Sequence, residues 1–403
     1  MTVKRRVAVF FGGRSPEHDV SIVSGLQALG AVDASTFDAF PVYISMQGEW
    51  FIGNALRHRL NYIPNDEIRR SLTQVTLDAT SDGEGLLVAS KNSWFGRNKP
   101  VVFDVALLAF HGNQGEDGQI QGLFEMAGVP YTGMRTLASA TLMDKFVTKR
   151  LLSGQDIPQL EGIALRRPVD GTAMSDEALA EAVGEAQFPV CVKPCHLGSS
   201  IGVARVADME ELREILPQIF RLDSVAIIEP FVPNLVEYNV SVSRFGGEVQ
   251  TSAIERPKRA SELLNFREKY MSGSDGKKGG AKIPGAASDG MLSLTRDINP
   301  DIAAELKAKI RKWAAAAFES IGGTGAPRID FLGDDQTGEL WLNEINPCPG
   351  SFGYFLWEAA DQPILFTELL SKLIEEAIEE FRASRLPADP TPKNARLFKR
   401  PYE

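Results

Sequence analysis

The chain has 403 residues, of which 43% are hydrophobic and 24% are charged, and its formal net charge at pH 7 is -10. This length accommodates two or three domains, and the acidic balance argues against nonspecific binding to nucleic acids or to anionic membrane surfaces. No apolar run is long enough to cross a bilayer. The three cysteines give no disulfide framework, so we expect a cytoplasmic protein.

The first third of the chain alternates apolar runs of strand type with segments of helical spacing. A buried strand is predicted at 7–11, a helix at 19–31, apolar runs at 37–45 and 102–110, and a helix at 119–127. This alternation predicts an α/β domain with a parallel sheet and crossover helices.

Two polar, glycine-bearing loops follow strands of this predicted sheet. Residues 12–18 follow the first strand, and residues 111–118 follow the later one. Ligands of open parallel sheets bind beyond the carboxyl ends of the strands, so both loops are placed for a site. Taken singly, each loop is interpreted by default as an ordinary glycine-rich connection.

The middle of the chain mixes helices and strands around one long polar segment. Residues 256–290 are charged and glycine-rich, which is typical of a lid, a binding loop or disorder. Asp208 and Glu211 have the spacing of a capping box at the start of a helix. Helices are predicted at 137–153, 208–220, 300–321 and 363–383, and strands at 188–194, 226–232, 237–243 and 248–255.

A β-hairpin near the C-terminal end carries the most informative polar residues. Two apolar runs, 326–332 and 339–346, enclose a loop of turn residues. Side chains alternate faces along a strand, so Arg328 and Asp330 share one face, as do Glu344 and Asn346. If the two faces meet, two carboxylates, an amide and a guanidinium converge.

These oxygen ligands are those expected for Mg²⁺, which completes its coordination with water and substrate phosphates. The alternative is a solvated hairpin face. The even spacing of Leu332, Leu340 and Leu342 relative to the polar groups predicts a partly buried layer, and buried carboxylates need a partner or a metal. We therefore favour a metal site at Asp330, Glu344 and Asn346.

Three lysines stand beside glycine-bearing or irregular backbone: Lys145, Lys193 and Lys269. Small residues such as those at 198–200 allow close approach of a phosphate, and lysine supplies the charge. Taken alone, each lysine is most often a solvated surface residue, and its value here comes from company with the candidate metal ligands. Glu229 and Glu237 flank a short connector that could bind an adenosine, although a surface turn is the simpler interpretation.

Seven motifs, taken together and in order, resemble those of the D-alanine–D-alanine ligase family of the ATP-grasp superfamily. They extend from about residue 7 to 350, and their joint order is highly specific. The motifs are Phe11-Gly-Gly-Arg-Ser-Pro-Glu-His-Asp-Val-Ser21, His111-Gly-x-x-Gly-Glu-Asp-Gly118, Pro130-Tyr-Thr-Gly133, Ala138-Ser-Ala-x-x-Met-Asp-Lys145, Val192-Lys-Pro-x-x-x-Gly-Ser-Ser-x-Gly202, Arg328-Ile-Asp330 and Asn343-Glu-Ile-Asn-x-x-Pro-Gly350.

The resemblance implies an N-terminal parallel-sheet domain followed by a two-domain ATP-grasp fold. The implied boundaries are 1–134, 135–231 and 232–385, with an extended tail at 386–403. It also implies that ATP phosphorylates the carboxylate of one D-amino acid and that the amine of a second displaces phosphate, in peptidoglycan precursor synthesis. The implied cofactors are ATP and Mg²⁺, with Mn²⁺ as an alternative, and the implied assembly is a homodimer.

The resemblance also implies a role for each matching residue. Catalysis and closure of the site fall to Glu17, Ser199, Tyr270 and Arg328, and amino-acid substrate binding falls to His111, Gly350 and Phe355. Binding of ATP is implied for Lys145, Lys193, Glu229, Phe231, Glu237 and Lys269. Metal binding is implied for Asp330, Glu344 and Asn346.

One departure from the family pattern concerns the second substrate. Phe355 stands where most members have a serine that holds the carboxylate of the second amino acid. An aromatic ring cannot make that hydrogen bond, so specificity is expected to change. Two alternatives to a D-Ala-D-Ala or D-Ala-D-X ligase therefore stay open: the same chemistry with a larger or non-carboxylate second substrate, and a nucleotide-binding protein without ligase activity.

Overall fold

Three β-sheets organise the part of the chain that the structure describes. The computed structural model describes residues 4–62, 66–80, 83–90, 99–171, 174–258 and 296–385. The sheets have seven, four and five strands in chain order. No helix within these ranges is both long and apolar enough to span a membrane.

The first sheet has the strand order β6-β5-β4-β3-β2-β1-β7. Its strands are β1 Arg5–Gly12, β2 Phe37–Ile44, β3 Trp50–Ile52, β4 Thr73–Leu77, β5 Gly85–Ala89, β6 Val101–Phe103 and β7 Val105–Leu108. Strands β2, β1 and β7 run parallel, as predicted, and β3 to β6 extend the sheet in antiparallel fashion. The apolar run at 102–110 therefore forms two strands.

Helices cover this sheet and place both polar loops at one edge. They are α1 His18–Ala31, α2 Asp66–Ser71 and α3 Gln119–Met126, with short 3₁₀ turns at Asn54–Arg57 and Arg59–Tyr62. The loop that follows β1 leads directly into α1, and the loop that follows β7 leads into α3. Both predicted loops thus lie at the carboxyl ends of parallel strands.

The region predicted as one helix at 137–153 forms two helices, α4 Thr136–Met143 and α5 Lys145–Leu152. Asp144 between them is extended, with φ -92° and ψ 105°, and its side chain accepts a hydrogen bond from the Val147 N–H. An aspartate that caps a new helix satisfies N–H groups that a continuous helix would not leave free. The prediction of a single helix is therefore wrong.

The second sheet is antiparallel, with the order β10-β9-β11-β8. Its elements are β8 Ile163–Arg166, α6 Asp176–Val183, β9 Val190–Pro194, β10 Ala204–Val206, α7 Met209–Leu222 and β11 Val225–Pro230. The apolar face of α7 packs on the sheet through residues such as Leu212 and Ile219. Asp208 caps α7 as predicted, by accepting from the Glu210 and Glu211 N–H groups.

The third sheet is also antiparallel, with the order β14-β13-β12-β15-β16. Its strands are β12 Leu235–Phe245, β13 Glu248–Pro257, β14 Arg296–Ile298, β15 Arg328–Asp334 and β16 Leu340–Asn346. The accompanying helices are α8 Ala304–Ser320, α9 Tyr354–Glu358 and α10 Phe366–Ser384, and a 3₁₀ turn spans Gly350–Gly353. One face of the sheet packs on α8 through Ile310 and Phe318, which leaves the other face for polar residues.

The last helix connects the end of the chain to its beginning. Leu369, Leu373 and Ile374 of α10 share a buried cluster with Val7 and Phe11 of β1. The 3₁₀ turn and α9 lie between the third sheet and this helix in the chain. The third sheet is thereby held beside the edge of the first sheet that bears both polar loops.

Candidate active site

The hairpin β15–β16 brings the predicted polar residues together. Asp330 lies opposite Glu344, and Arg328 lies opposite Asn346. The neighbouring strands continue the pattern, because Asn239 lies beside Asp330 and Glu255 lies beside Asn239. Glu255, Asn239, Asp330 and Glu344 form a row across four strands, which we call the polar row.

A β-bulge in β16 sets which residues face the polar row. Asp330 pairs with Glu344, but the next pair is Phe331 with Leu342, so Asn343 is an extra residue. Leu340 and Leu342 are consequently buried in the apolar core on the opposite face. The prediction that they share the face of Glu344 and Asn346 is wrong, and among the three leucines only Leu332 lies on that side.

Arg328 and Asp330 form a two-point ion pair. Arg328 Nε donates to Asp330 Oδ1 and Nη2 donates to Asp330 Oδ2, each over 2.6 Å. Burial raises the pKa of Asp330, and the Arg328 guanidinium opposes that rise. The pair holds the guanidinium on the polar face of the sheet, and a guanidinium has five N–H donors, so others remain for a ligand.

Two predicted lysines reach the same hairpin from other elements. Lys145 Nζ lies 3.2 Å from Glu344 Oε2, and Lys193 Nζ donates to Asn343 Oδ1 over 3.1 Å. Burial would raise the pKa of Glu344, but Lys145 and Lys193 lower it. The start of α5 and the end of β9 therefore supply positive charge beside the acidic hairpin.

Glu229 is buried between two lysines. Lys149 Nζ and Lys193 Nζ each lie 2.6 Å from a Glu229 oxygen. Burial would raise the pKa of Glu229, but the two lysines lower it to about 2. The Glu229 side chain is thus used to hold lysines. Sequence reasoning missed Lys149, although its position four residues after Lys145 places both on one face of α5.

The other predicted nucleotide residues lie around this arrangement. Phe231 is half-buried just after β11, and the Arg205 guanidinium carbon lies 5.1 Å from its ring centre. Glu237 is half-buried on β12 opposite Leu332, and its charge contributes to the raised pKa of Asp330. Glu237 therefore lies on the same face as the polar row.

Glu17 and Ser199 meet across the first and second sheets. Ser199 Oγ donates a hydrogen bond to Glu17 Oε1. Glu17 precedes the first residue of α1, and Ser199 has a φ of 52° in the loop after β9. Gly112 has a φ of 71°, and a Cβ there would lie 2.7 Å from Glu17 Oε2, so a glycine favours this close approach of the loop after β7 to the carboxylate.

His111 connects this corner to the turn that follows β16. His111 Nε2 lies 2.8 Å from Ser24 Oγ, which accepts from the Ser351 N–H over 3.0 Å. Burial lowers the pKa of His111 to about 4, so the ring is neutral at pH 7. Gly350, the other predicted residue of this turn, is exposed.

Glu116 adds a second connection that sequence reasoning did not single out. Its side chain accepts from the Gly112 N–H over 2.6 Å and from the Cys348 N–H over 3.1 Å. The loop after β7 is therefore joined to the turn after β16. The only signal in the sequence was the presence of this acidic residue in a glycine-rich loop.

Phe355 is half-buried at the edge of the polar row. The Arg296 guanidinium carbon lies 4.7 Å from the centre of its ring. Arg296 Nη1 in turn lies 3.0 Å from Glu255 Oε2. An aromatic ring and an arginine thus stand where the resemblance predicts the second substrate. Lys269, Tyr270, the segment 271–290 and the tail 386–403 lie outside the described residues.

The oxygen atoms of the hairpin fit a hard divalent cation. Asn346 Oδ1 is buried and has no hydrogen-bond partner among the residues in the described ranges. Asp330 and Glu344 offer carboxylate oxygens on the same face. An acceptor that is buried without a donor and lies beside two carboxylates matches the ligand set of Mg²⁺.

Comparison with known families places these features in context. A family model described as D-ala D-ala ligase N-terminus matches residues 6–134, and one described as D-ala D-ala ligase C-terminus matches residues 151–375. The D-alanine–D-alanine ligase of Heliobacterium modesticaldum is 34% identical over 388 residues, 94% of this chain and 96% of the relative. That of Deinococcus radiodurans is 33% identical over 384 residues, 94% and 100% of the two chains.

Solved structures share the fold. The D-alanine–D-alanine ligase of Coxiella burnetii has a TM-score of 0.73 at 24% identity, with 94% of this chain and 95% of that chain covered. The VanG D-Ala:D-Ser ligase of Enterococcus faecalis has a TM-score of 0.71 at 24% identity, with 93% of this chain and 100% of that chain covered. The three sheets therefore form a known arrangement.

Proposed function

The chain belongs to the D-alanine–D-alanine ligase family, and from that membership we propose that it joins two D-amino acids with ATP. The product is D-Ala-D-Ala or a D-Ala-D-X dipeptide for peptidoglycan precursors. The observation that carries the proposal is the convergence of Asp330, Glu344 and Arg328 on one face of the hairpin, with Lys145 and Lys193 directed at it.

The nucleotide is proposed to lie between the second and third sheets. Lys145 and Lys193 come from the second-sheet side and would bind its phosphates, with Lys269 as a further phosphate contact from 259–295. Glu237 would accept from the ribose hydroxyls. Because Glu229 already holds two lysines, we propose that its side chain positions Lys149 and Lys193 and that backbone near Phe231 meets the base.

The oxygen ligands Asp330, Glu344 and Asn346 would hold the metal. A divalent cation bound there, Mg²⁺ or alternatively Mn²⁺, supplies charge neutralisation for the phosphate oxygens of ATP. The protein's own contribution is to fix these oxygens on a rigid hairpin beside the two lysines.

The reaction is proposed to proceed in two steps. A carboxylate oxygen of the first D-amino acid attacks the terminal phosphorus of ATP, the bond to the bridging oxygen breaks, and ADP leaves. The amine of the second, after loss of a proton, attacks the acyl carbon, and inorganic phosphate leaves as the amide forms. Arg328 would stabilise the negative charge that develops on the transferred phosphoryl group and on the acyl oxygen.

The first amino acid is proposed to bind at the Glu17 corner. Glu17 would accept from its ammonium group, and Ser199, with Tyr270, would close the site over it. His111 is neutral and bonded to Ser24, so it would position the Gly350 turn and the substrate next to it. The Ser199–Glu17 hydrogen bond is the structural support for this assignment.

The position of Phe355 supports a second candidate, with the same chemistry but a different second substrate. Phenylalanine has no hydroxyl to offer a carboxylate, and its ring packs against Arg296. A larger or non-carboxylate amine would fit an aromatic wall better than D-alanine does.

Phosphate release from ATP, measured across pairs of D-amino acids and amines in the presence of Mg²⁺, tests both candidates. Turnover that requires D-alanine as both substrates supports D-Ala-D-Ala synthesis. Turnover with D-alanine and only another amine supports the second candidate. Binding of ATP without phosphate release for any pair would contradict the proposed function.

We also propose, from the family resemblance, a homodimer in the cytoplasm. Supply of ATP and of small amino-acid substrates is consistent with that compartment. Sedimentation equilibrium of the purified chain tests the assembly, and a mass equal to one chain at micromolar concentration would contradict a stable dimer.

A further inference from the structure

A second cluster of metal-ligand side chains lies apart from the polar row. Asp144 precedes α5, and Cys195 and His196 follow β9. One ligand atom from each residue lies within 4.8 Å of the others. Cys195 Sγ donates to Asp144 Oδ1 over 3.1 Å, and His196 Nε2 lies 3.2 Å from Asp144 Oδ2. Three ligand types therefore converge from two separate segments.

Asp223 orients the imidazole of this cluster. Its carboxylate accepts from the backbone N–H of His196 over 2.6 Å and from the ring nitrogen Nδ1 of His196 over 2.8 Å. It also accepts from the Val225 N–H over 3.1 Å, so the carboxylate itself is fixed. A carboxylate that holds one ring nitrogen as a donor leaves the other directed at the remaining ligands, as in carboxylate–histidine–zinc arrangements.

The donor atoms select the class of metal. One sulfur, one imidazole nitrogen and one carboxylate oxygen suit Zn²⁺ and similar transition-metal ions, whereas Mg²⁺ takes oxygen ligands. Bond lengths of about 2.0 to 2.3 Å imply that ligand atoms around tetrahedral zinc are roughly 3.5 Å apart. Cys195 Sγ lies 3.1 Å from Asp144 Oδ1 and His196 Nε2 lies 3.2 Å from Asp144 Oδ2, so each approaches that spacing to a different oxygen of the carboxylate. We propose that Asp144, Cys195 and His196 form a Zn²⁺ site with one open coordination position.

The cluster is accessible to an ion. The side chains of Asp144 and His196 are 27% and 32% exposed, and Cys195 closes the site from within as a buried residue. Asp144 and His196 line a cleft of about 610 Å³, with Asp117 and Gln114 among the other lining residues. An ion can therefore enter from the cleft, and a water molecule or an added ligand can complete its coordination.

The site would couple α5 to the loop that carries Ser199. The Lys145 N–H, next to Asp144, donates to the Cys195 carbonyl oxygen over 3.3 Å, and Lys145 Nζ donates to the Leu197 carbonyl oxygen over 2.8 Å. A metal bridging Asp144, Cys195 and His196 would replace their direct side-chain contacts with metal–ligand bonds, beside these two hydrogen bonds. Binding of the metal does not depend on the proposed ligase function, so the two can fail separately.

Cobalt(II) titration of the purified full-length chain tests the site. Saturating Mg²⁺ is present throughout so that the oxygen ligands of the hairpin are occupied. We expect one equivalent of Co²⁺ to give a thiolate-to-cobalt charge-transfer band. The band should disappear when added Zn²⁺ displaces the cobalt. Absence of the band in the wild-type chain would show that the cluster is a hydrogen-bonded network only, and would overturn the proposal.

Variants assign the band to this cluster. Cys195→Ser should abolish it, and the matched control Cys191→Ser, on the strand β9 that precedes Cys195, should keep it. Asp223→Asn should weaken metal binding by roughly 10- to 100-fold, as losses of an orienting carboxylate do. His196→Gln provides an independent loss if Cys195→Ser does not fold, judged by circular dichroism. A band that persists in both Cys195→Ser and His196→Gln would place the metal elsewhere and overturn the proposal.

Discussion

Buried charges at the candidate site occur in sets in which each group has a partner. Glu229 has two lysines, and Asp330 has a two-point contact with Arg328. Removal of one partner from a buried ion pair leaves an uncompensated charge, which costs more than the pair contributes. These side chains are therefore fixed before any substrate binds.

Lys149→Met tests the structural part of this arrangement. Because Glu229 would keep only Lys193, we expect the free energy of unfolding to fall by about 2 to 4 kcal/mol. Urea unfolding measures the change. The control Lys309→Met alters an exposed lysine of α8 and should cost less than about 0.5 kcal/mol. Equal losses for the two variants would contradict a buried, coupled set around Glu229.

Arg328→Ala tests the proposed stabilisation of developing charge. Turnover should fall by roughly 10²- to 10³-fold, the usual loss for one donor to a developing oxyanion, whereas the ATP dissociation constant should change little. Steady-state kinetics and ATP titration measure the two quantities. Similar losses in both would assign Arg328 a structural role through Asp330.

At the scale of elements, the bulge in β16 determines what the hairpin presents. Regular alternation would place Leu340, Leu342 and Glu344 on one face, and that is what the spacing predicts. One extra residue at Asn343 changes the alternation, so that Glu344 faces the lysines while Leu342 stays in the core. A bulge depends on the strands on either side, so the period of the sequence alone could not reveal it.

Deletion of Asn343 tests the contact that the bulged residue makes with Lys193. The shortened strand regains regular alternation with Leu342 in the core and Glu344 on the polar face, so circular dichroism should be nearly unchanged. The hydrogen bond from Lys193 to Asn343 is lost, and ATP binding should weaken by about tenfold, since a bond to a charged group contributes about 1.5 kcal/mol or more. Unchanged ATP affinity would contradict a role for this contact in orienting Lys193.

Whether the other helices and strands could be predicted also depended on how local their sequence signals are. The strand Arg5–Gly12, the capped helix Met209–Leu222 and the hairpin were predictable because their signals are local. The interruption at Asp144 was not, because residues 137–153 keep apolar spacing throughout and the break is fixed by contacts with Cys195 and His196. Lys149 was overlooked because a buried lysine is unusual and its partner is distant in sequence.

At the scale of the whole molecule, the motifs located most of the candidate site but not the packing that assembles it. The packing of α10 against β1 links residues more than three hundred positions apart, and no periodicity encodes such a contact. The antiparallel extension β3 to β6 was likewise not apparent, since short strands of mixed polarity give weak signals. The candidate site was instead located from the order of the motifs along the chain, without knowledge of this packing.

Glu376 of α10 provides a pH test of the assembled molecule. It accepts from the Gly325 N–H over 2.8 Å, and burial raises its pKa from 4.5 to about 7. Between pH 4.5 and about pH 7, Glu376 is protonated in the folded chain but ionised in the unfolded chain. The protonated Glu376 therefore contributes fully to the free energy of unfolding below pH 4.5, and that contribution is lost as pH rises through about 7.

Glu376→Gln should therefore reduce the decline in unfolding free energy between about pH 5 and pH 8. The expected difference from wild type is on the order of 1 to 3 kcal/mol across that window. The control Glu379→Gln alters an exposed residue of the same helix and should leave the decline unchanged. A Glu376→Gln variant with the full wild-type decline would contradict the assignment.

Transfer of a carboxylate oxygen to phosphate tests the central claim most directly. D-alanine labelled with heavy oxygen in its carboxyl group is incubated with the protein, ATP, Mg²⁺ and an amine substrate that supports turnover, and the released inorganic phosphate is analysed by mass spectrometry. If ATP phosphorylates the carboxylate, each phosphate released should carry one labelled oxygen. Turnover that releases only unlabelled phosphate would contradict the account.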